Sequence, residues 1–330
     1  MAAVGQDYLT LVDRAQKLGT GKEADKVLTV AELLSQTNDI IADMPYVDAN
    51  QGTTHLIGQR VGLPSTYWKQ MNKGVPSSKS RTVQQKEGTA VLKTAGVVDN
   101  DMPNKNSLRQ DEMVASMSAL SNDMATELFY GTAADPEGLV GLATRYGDLS
   151  GGNAQNIISL GGAGGDNTSI WLIGLGRRAI FGALPKGFGS GIQHKEYQNV
   201  NELDEDGNTF MATRDEYSFA SGICVQDWRY GVRICNIDVS AALADPDGSS
   251  VAVINNMIKA LHRVPSLQSA GVKFGLYMNR DMMTVLDIQG TNKSNAYFTS
   301  SEVEGVTRTK FRGIPLRLCD SILSTEAVVS

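Results

Sequence analysis

Three histidines, three cysteines and several glycine runs hold most of the side chains and turns in this chain that could carry catalysis. His194-Lys195-Glu196 has the His-x-Glu spacing of a zinc deaminase, where histidine ligates the metal and glutamate moves the proton. No Pro-Cys-x-x-Cys follows to complete such a site. His55, His194 and His262 stand far apart and outside any metal-ligand spacing, so each reads as a surface or interface histidine. Asp204-Glu205-Asp206-Gly207 resembles the opening of a calcium loop but lacks the alternating carboxylates and the distal glutamate. It reads as a turn. Cys224, Cys235 and Cys319 are odd in number and without ligand spacing, as expected of buried free thiols in a reducing compartment.

The glycine runs fare no better as cofactor sites. Gly174-Leu175-Gly176-Arg177-Arg178-Ala179 follows a strand and meets the dinucleotide spacing, with alanine at the last position. The segment after it, Ala179–Leu184, reads as strand, whereas pyrophosphate binding needs a helix N-terminus there. Gly187-Phe188-Gly189-Ser190-Gly191 misses the nucleophile-elbow register, and no glycine run continues into Gly-Lys-Ser/Thr. The expectation is a chain with no catalytic residue, no cofactor and no metal.

The elements that would have to position any chemistry point elsewhere. Gly52–Asp99 is polar, turn-punctuated and strand-like, with too few apolar residues to build a core. Gly62-Leu63-Pro64-Ser65 and Gly74-Val75-Pro76-Ser77-Ser78 mark turns within it. An isolated hairpin is marginal in water, so this arm must lie on its own body or on another chain. Residues 47–99 carry seven basic and three acidic side chains, a local charge of +4 in a chain of net charge −6, which leaves −10 on the remainder. A basic limb on an acidic body suits contact with a copy of that body. A solvated hairpin that avoids edge aggregation with lysines remains the plainer alternative. Trp68 sits in this arm with little local core, so partner contact and local packing are both open to it. Arg60, Tyr67, Trp68, Lys69, Lys73, Lys79 and Arg81 are the candidate subunit-interface residues.

The body is mixed. Ser107 has the spacing of a capping-box residue, and Met113, Met117, Leu120, Met124 and Leu128 form one apolar stripe, predicting a long helix over 108–130 closed at Gly131. Gln6–Leu18 and Thr29–Ile41 have helical spacing. Gly138–Gly165 reads as loop, Ser169–Leu175 and Ala179–Leu184 as buried strands. Tyr197–Leu203 and Thr209–Phe219 read as a hairpin around an Asp-Gly turn. Cys224–Arg229, Val232–Ile237 and Val272–Met278 continue the sheet, with helices at Ser249–His262 and Asp281–Ile288. Arg308–Leu318 alternates as one strand. No apolar run approaches the roughly 20 residues of a membrane span, and the start lacks the pattern of a secretory signal. The net charge argues against a nucleic-acid binder.

Four stretches carry a resemblance: TVAELLSQTNDIIADM (29–44), RVGLPSTYWKQMNKGV (60–75), NAQNIISLGGAGGDNTSIWLIGLG (153–176) and DWRYGVRICNID (227–238). In this order, with the arm before the long helix, the chain resembles the major capsid proteins of tailed bacteriophages with the Hong Kong 97-type fold. It looks most like the epsilon-fifteen type of short-tailed phages. The resemblance implies an α+β fold with an N-terminal arm (1–46), an extended loop (47–99), a peripheral domain (100–133 and 299–330) and an axial domain (134–298). It implies self-assembly into hexamers and pentamers of an icosahedral shell around double-stranded DNA, in the virion, after assembly in the bacterial cytoplasm. The implied partners are copies of itself, a separate scaffolding protein and a portal, with room for a decoration protein. DNA is contacted non-specifically at most, and no membrane is involved. The rival reading is a soluble α/β enzyme or ligand-binding protein with an oligomerisation hairpin.

Overall fold

The computed structural model describes residues 38–330 except 104, 136–137, 190, 205, 293–297 and 304–305. The helix expected over Gln6–Leu18, and most of that over Thr29–Ile41, lie outside the described residues. Two compact units divide the described chain, one of Val91–Ala125 and Gly189–Ala220, the other of Asn38–Ala90, Thr126–Phe188 and Ser221–Ser330.

In the larger unit a short helix, α1 (Asp39–Asp43), precedes β1 (Tyr46–Asp48). The sheet there is built from β5 (Ile157–Ser159), β6 (Asn167–Leu175), β7 (Ile180–Leu184), β10 (Gly231–Asp238), β11 (Lys273–Met278), β12 (Phe298–Val303), β13 (Val306–Phe311) and β14 (Ile314–Leu318). Its order runs β12-β13-β14-β11-β6-β7, with β10 pairing β5 and β6, and β1 pairing β7. Every residue of β6 and β7 is buried, which accounts for the continuous apolar runs Ile170–Leu175 and Ile180–Leu184. Helices Val239–Ala244, Val253–Leu261 and Arg280–Asn292 supply Ala242, Val253, Met257, Met282, Val285 and Leu286 to the main core, against Ile170, Leu172, Ile234 and Leu276.

The smaller unit holds the antiparallel pair of β8 (Ile192–Leu203) with β9 (Thr209–Val225), joined by the expected turn, where Asp204 Oδ1 accepts from Asn208 N at 2.7 Å. Residues beyond Ala220 of β9 belong to the larger unit, where Phe181 pairs with Cys224. β4 (Ala90–Asp99) lies beside β9.

The long helix, α2, spans Lys105–Tyr130. It starts before Ser107, so the serine is inside the helix and the expected cap is displaced. At 1.5 Å per residue it is roughly 39 Å long. Leu108, Leu120, Met124, Leu128 and Phe129 are buried, while Met117 stays partly exposed. The stripe is therefore a core seam only toward the C-terminal half. The tail is also two strands, not one: β13 and β14 turn back at Arg312 and Gly313, whose φ values of 48° and 86° allow the reversal. The stretch 138–165, expected as loop, contains a short helix, α3 (Leu142–Arg145), and β5.

Candidate assembly interface

The arm has a fixed root and an exposed tip. Its strands β2 (Thr54–Gly62) and β3 (Arg81–Gly88) form an antiparallel hairpin, with Thr54 opposite Gly88 and Gly62 opposite Arg81. At the root, Ile57 packs on Phe181, Ala183 and Cys224. The His55 ring meets Phe181 edge-on at 5.3 Å, and Gln59 Nε2 donates to the Val225 carbonyl at 3.0 Å. Gly222 lets the root lie close, since a Cβ there would stand 2.6 Å from the Gly88 carbonyl oxygen.

A buried ion pair completes the root. Glu87 is the one buried residue of β3, and Arg145 on α3 grips it with Nη1 on Oε1 and Nη2 on Oε2, each at 2.6 Å. Gln85 Nε2 donates to the same carboxylate at 3.0 Å, and Arg145 Nε donates to the Val140 carbonyl at 3.1 Å. A bidentate guanidinium whose Nε is also bonded is the geometry in which a buried pair holds position. No local pattern in the sequence pointed to this pair, because its members lie far apart in the chain.

Beyond Gly62 the chain leaves regular structure until Arg81. A turn bonds Lys73 N to the Gln70 carbonyl at 3.2 Å, and Ser78 Oγ donates to the Ser65 carbonyl at 2.9 Å. Leu63 is 81% exposed, Met71 94% and Trp68 102%. Large apolar side chains rarely cluster in water without a partner surface. The structure places Tyr67, Trp68, Lys69, Lys73 and Lys79 in this tip, all exposed, and Arg60 and Arg81 at its neck, also exposed. Among the described residues none of these cations forms an ion pair. Between Asp48 and Glu87 the sequence has no carboxylate at all. The tip is thus a cationic loop with apolar side chains displayed outward.

His194 lies elsewhere. In the smaller unit, His194 Nε2 lies 2.8 Å from Asp215 Oδ1 and stacks on Tyr217 at 4.8 Å. Arg109 takes the same carboxylate with Nε at 2.7 Å and Nη2 at 2.8 Å. Burial pushes the Asp215 carboxyl up, but the bonds from Arg109 and His194 outweigh it and hold it below the ordinary value. The adjoining hollow, about 260 Å³, is lined by Asn106, Arg109, Gln110, Met113, His194, Asp215 and Tyr217. That lining has no serine, threonine or cysteine for histidine to activate. The cluster braces β8, β9 and the long helix. Among the described residues no group of three or more His, Cys, Asp or Glu could hold a metal, and no helix is long and apolar enough to cross a membrane.

A buried network also closes the larger unit. Arg233 Nη2 donates to Glu326 Oε2 at 2.9 Å and Nε to Ser169 Oγ at 3.0 Å, with the guanidinium 5.1 Å from the Trp171 ring. Tyr130 and Ser169 also donate to Glu326. Burial and the neighbouring Glu326 charge push the Tyr130 hydroxyl above its ordinary range.

Comparison with known proteins fits an arm-bearing assembly subunit. The family model for major capsid protein GP7 matches residues 22–330. A structure of bacteriophage Epsilon15 is similar with a TM-score of 0.77 and 30% identity, covering 100% of this chain and 99% of that one. Lesser similarity is found to a structure from Mycobacterium phage Bobi, with a TM-score of 0.44, 10% identity, and 68% and 97% of the two chains covered. The capsid of bacteriophage JBD30 gives 0.49, 8%, 95% and 98%. No curated protein matches the chain. The fold class is α+β of the Hong Kong 97 type. The chain belongs to the major capsid protein GP7 family, and its role is that of a phage capsid shell protein.

Proposed function

We propose that the protein assembles into hexamers and pentamers of an icosahedral shell around double-stranded DNA, and that the arm carries one subunit onto the next. The observation behind this reading is Trp68, fully exposed at the end of a cationic loop whose root is locked by Glu87 and Arg145. Rigid root and free tip suit a contact completed by a neighbour. Each subunit then makes several modest contacts, and closure of the shell adds their strengths. We read residues 1–46 as the N-terminal arm, 47–99 as the extended loop, 100–133 with 299–330 as the peripheral domain, and 134–298 as the axial domain. The protein acts without catalysis, in concert with copies of itself, a separate scaffolding protein and a portal. It assembles in the bacterial cytoplasm and contacts DNA non-specifically at most.

Electron microscopy of the overexpressed chain, with and without co-expressed candidate scaffold, tests the reading. Closed shells or capsomers are expected. A chain that remains monomeric under both conditions overturns it.

A further inference from the structure

Strands β13, β14, β11 and β6 lie side by side, and their register decides which side chains share a face. Ile314 and Leu316 of β14, with Leu276 and Met278 of β11, face the main core. Alternation puts Pro315 and Arg317 of β14, and Lys273, Gly275 and Tyr277 of β11, on the opposite face. Tyr277 pairs with Arg317, and Lys310 of β13 pairs with Pro315. One step back from the Leu276–Leu316 pair, Gly275 comes level with Pro315. Gly275 is where the Tyr277 ring folds back, since a Cβ there would meet that ring at 2.9 Å.

A hollow of about 450 Å³ opens on this face, lined among others by Asp43, Lys273, Phe274, Tyr277, Lys310 and Arg317. Its size lies within the roughly 300–1,000 Å³ of small-ligand sites. Three cations stand at the hollow beside the Asp43 carboxylate, with Asp39 Oδ2 3.8 Å from Arg317 Nη1, and both carboxylates are engaged by Arg317. Arg317 Nη2 donates to Asp43 Oδ1 at 2.8 Å, and the Tyr277 hydroxyl donates to Oδ2 at 3.0 Å. Lys273 and Lys310 are left without an ion pair among the described residues. Both lysines line a recess beside the Tyr277 ring, where an anion would gain more from them than it does in open water.

We propose that this hollow is an oxyanion site, taking a phosphate- or carboxylate-bearing ligand of about oligophosphate size between Lys273 and Lys310. Arg317 and Asp43 hold the wall in place and leave the two lysines to bind. The site stands on the geometry of one copy and holds whether or not the shell reading does. Only the source of the anion depends on that reading.

Calorimetric titration of pyrophosphate into the full, unassembled chain at constant ionic strength tests it. Binding is expected, weakened at least tenfold in the double variant Lys273→Gln/Lys310→Gln and retained in Lys273→Arg/Lys310→Arg. Circular dichroism melts of each variant separate lost binding from lost folding. No binding to the wild-type chain, or equal binding to the folded glutamine variant, overturns the proposal. Assembled particles identify the source. If they bind pyrophosphate as the free chain does, the ligand is a soluble phosphate. If they exclude it and the glutamine variant assembles poorly, a neighbouring copy's carboxylate fills the site.

Discussion

Arg145 and Glu87 meet through two parallel hydrogen bonds of 2.6 Å, one from each terminal guanidinium nitrogen. Both side chains are largely buried. This pair ties the second strand of the arm to the body at the place where the hairpin stops being supported. Ile57 and Gln59 do the same for the first strand. The arm can therefore reach outward without its base unravelling.

Glu87→Gln is expected to cost about 3–5 kcal/mol, the usual result of stranding one partner of a buried pair. Urea denaturation measures the loss. Hydrogen exchange across Arg81–Gly88 should rise with it, while exchange in β6 should stay slow. An unchanged exchange pattern along β3 would show that the pair does not hold the arm.

Replacing residues 63–80 with a short Gly-Ser turn should leave the melting temperature within about 2 °C, because surface changes away from packed features usually stay within ~0.5 kcal/mol. Assembly should be lost. Sedimentation velocity would then find a folded, unassembled chain, and normal shells from this variant would refute the role given to the tip.

Charge reversal at Lys69, Lys73 and Lys79 should slow assembly most at low salt. Exposed charges act over a Debye length of about 10 Å at 0.1 M and over less as salt rises. Light-scattering time courses should show the variant and the wild type converging at high ionic strength. A deficit that is constant across salt would mean these lysines act by shape rather than charge.

Asp215 is held below the ordinary carboxylate value of 3.8. A depressed folded value stabilises the protein above 3.8, and that contribution is lost as pH falls through the lower, folded value. Melts between pH 2 and 6 should show an acid-side loss that Asp215→Asn lessens, from a lower starting stability. Parallel curves for the two proteins would exclude Asp215 as a source of acid sensitivity.

Burial pushes the Cys224 and Cys319 thiols up to about 12 and Cys235 to about 11. The thiolate is the reactive form, so the native chain at pH 8 should leave a disulfide-exchange reagent unreacted. Unfolding should release three thiols per chain. Fast reaction of any one of them in the folded protein would show that its segment opens.

Local chemistry was the legible part of the sequence. The turn at Asp204–Asn208, the apolar runs of β6 and β7 and the coreless character of the arm all follow from neighbouring residues. The Ser107 spacing did not mark the helix start because a good capping spacing can also occur inside a helix, and this one begins at Lys105. Val239–Ala244 escaped notice although Asp238 caps it, accepting from Ala241 N at 2.8 Å, since so short a helix shows little periodicity. The Lys273–Lys310 hollow, the His194–Asp215 contact and the Arg145–Glu87 pair depend on strand register or on partners distant in sequence. No local pattern encodes those.

The buried contact between Arg233 and Glu326 has a consequence for timing. A ribosome makes Arg233 before residue 326, so this buried pair can close only once the later segment has emerged. Asp43 likewise awaits Arg317. Both pairs can thus close only after the later residue of each has been made.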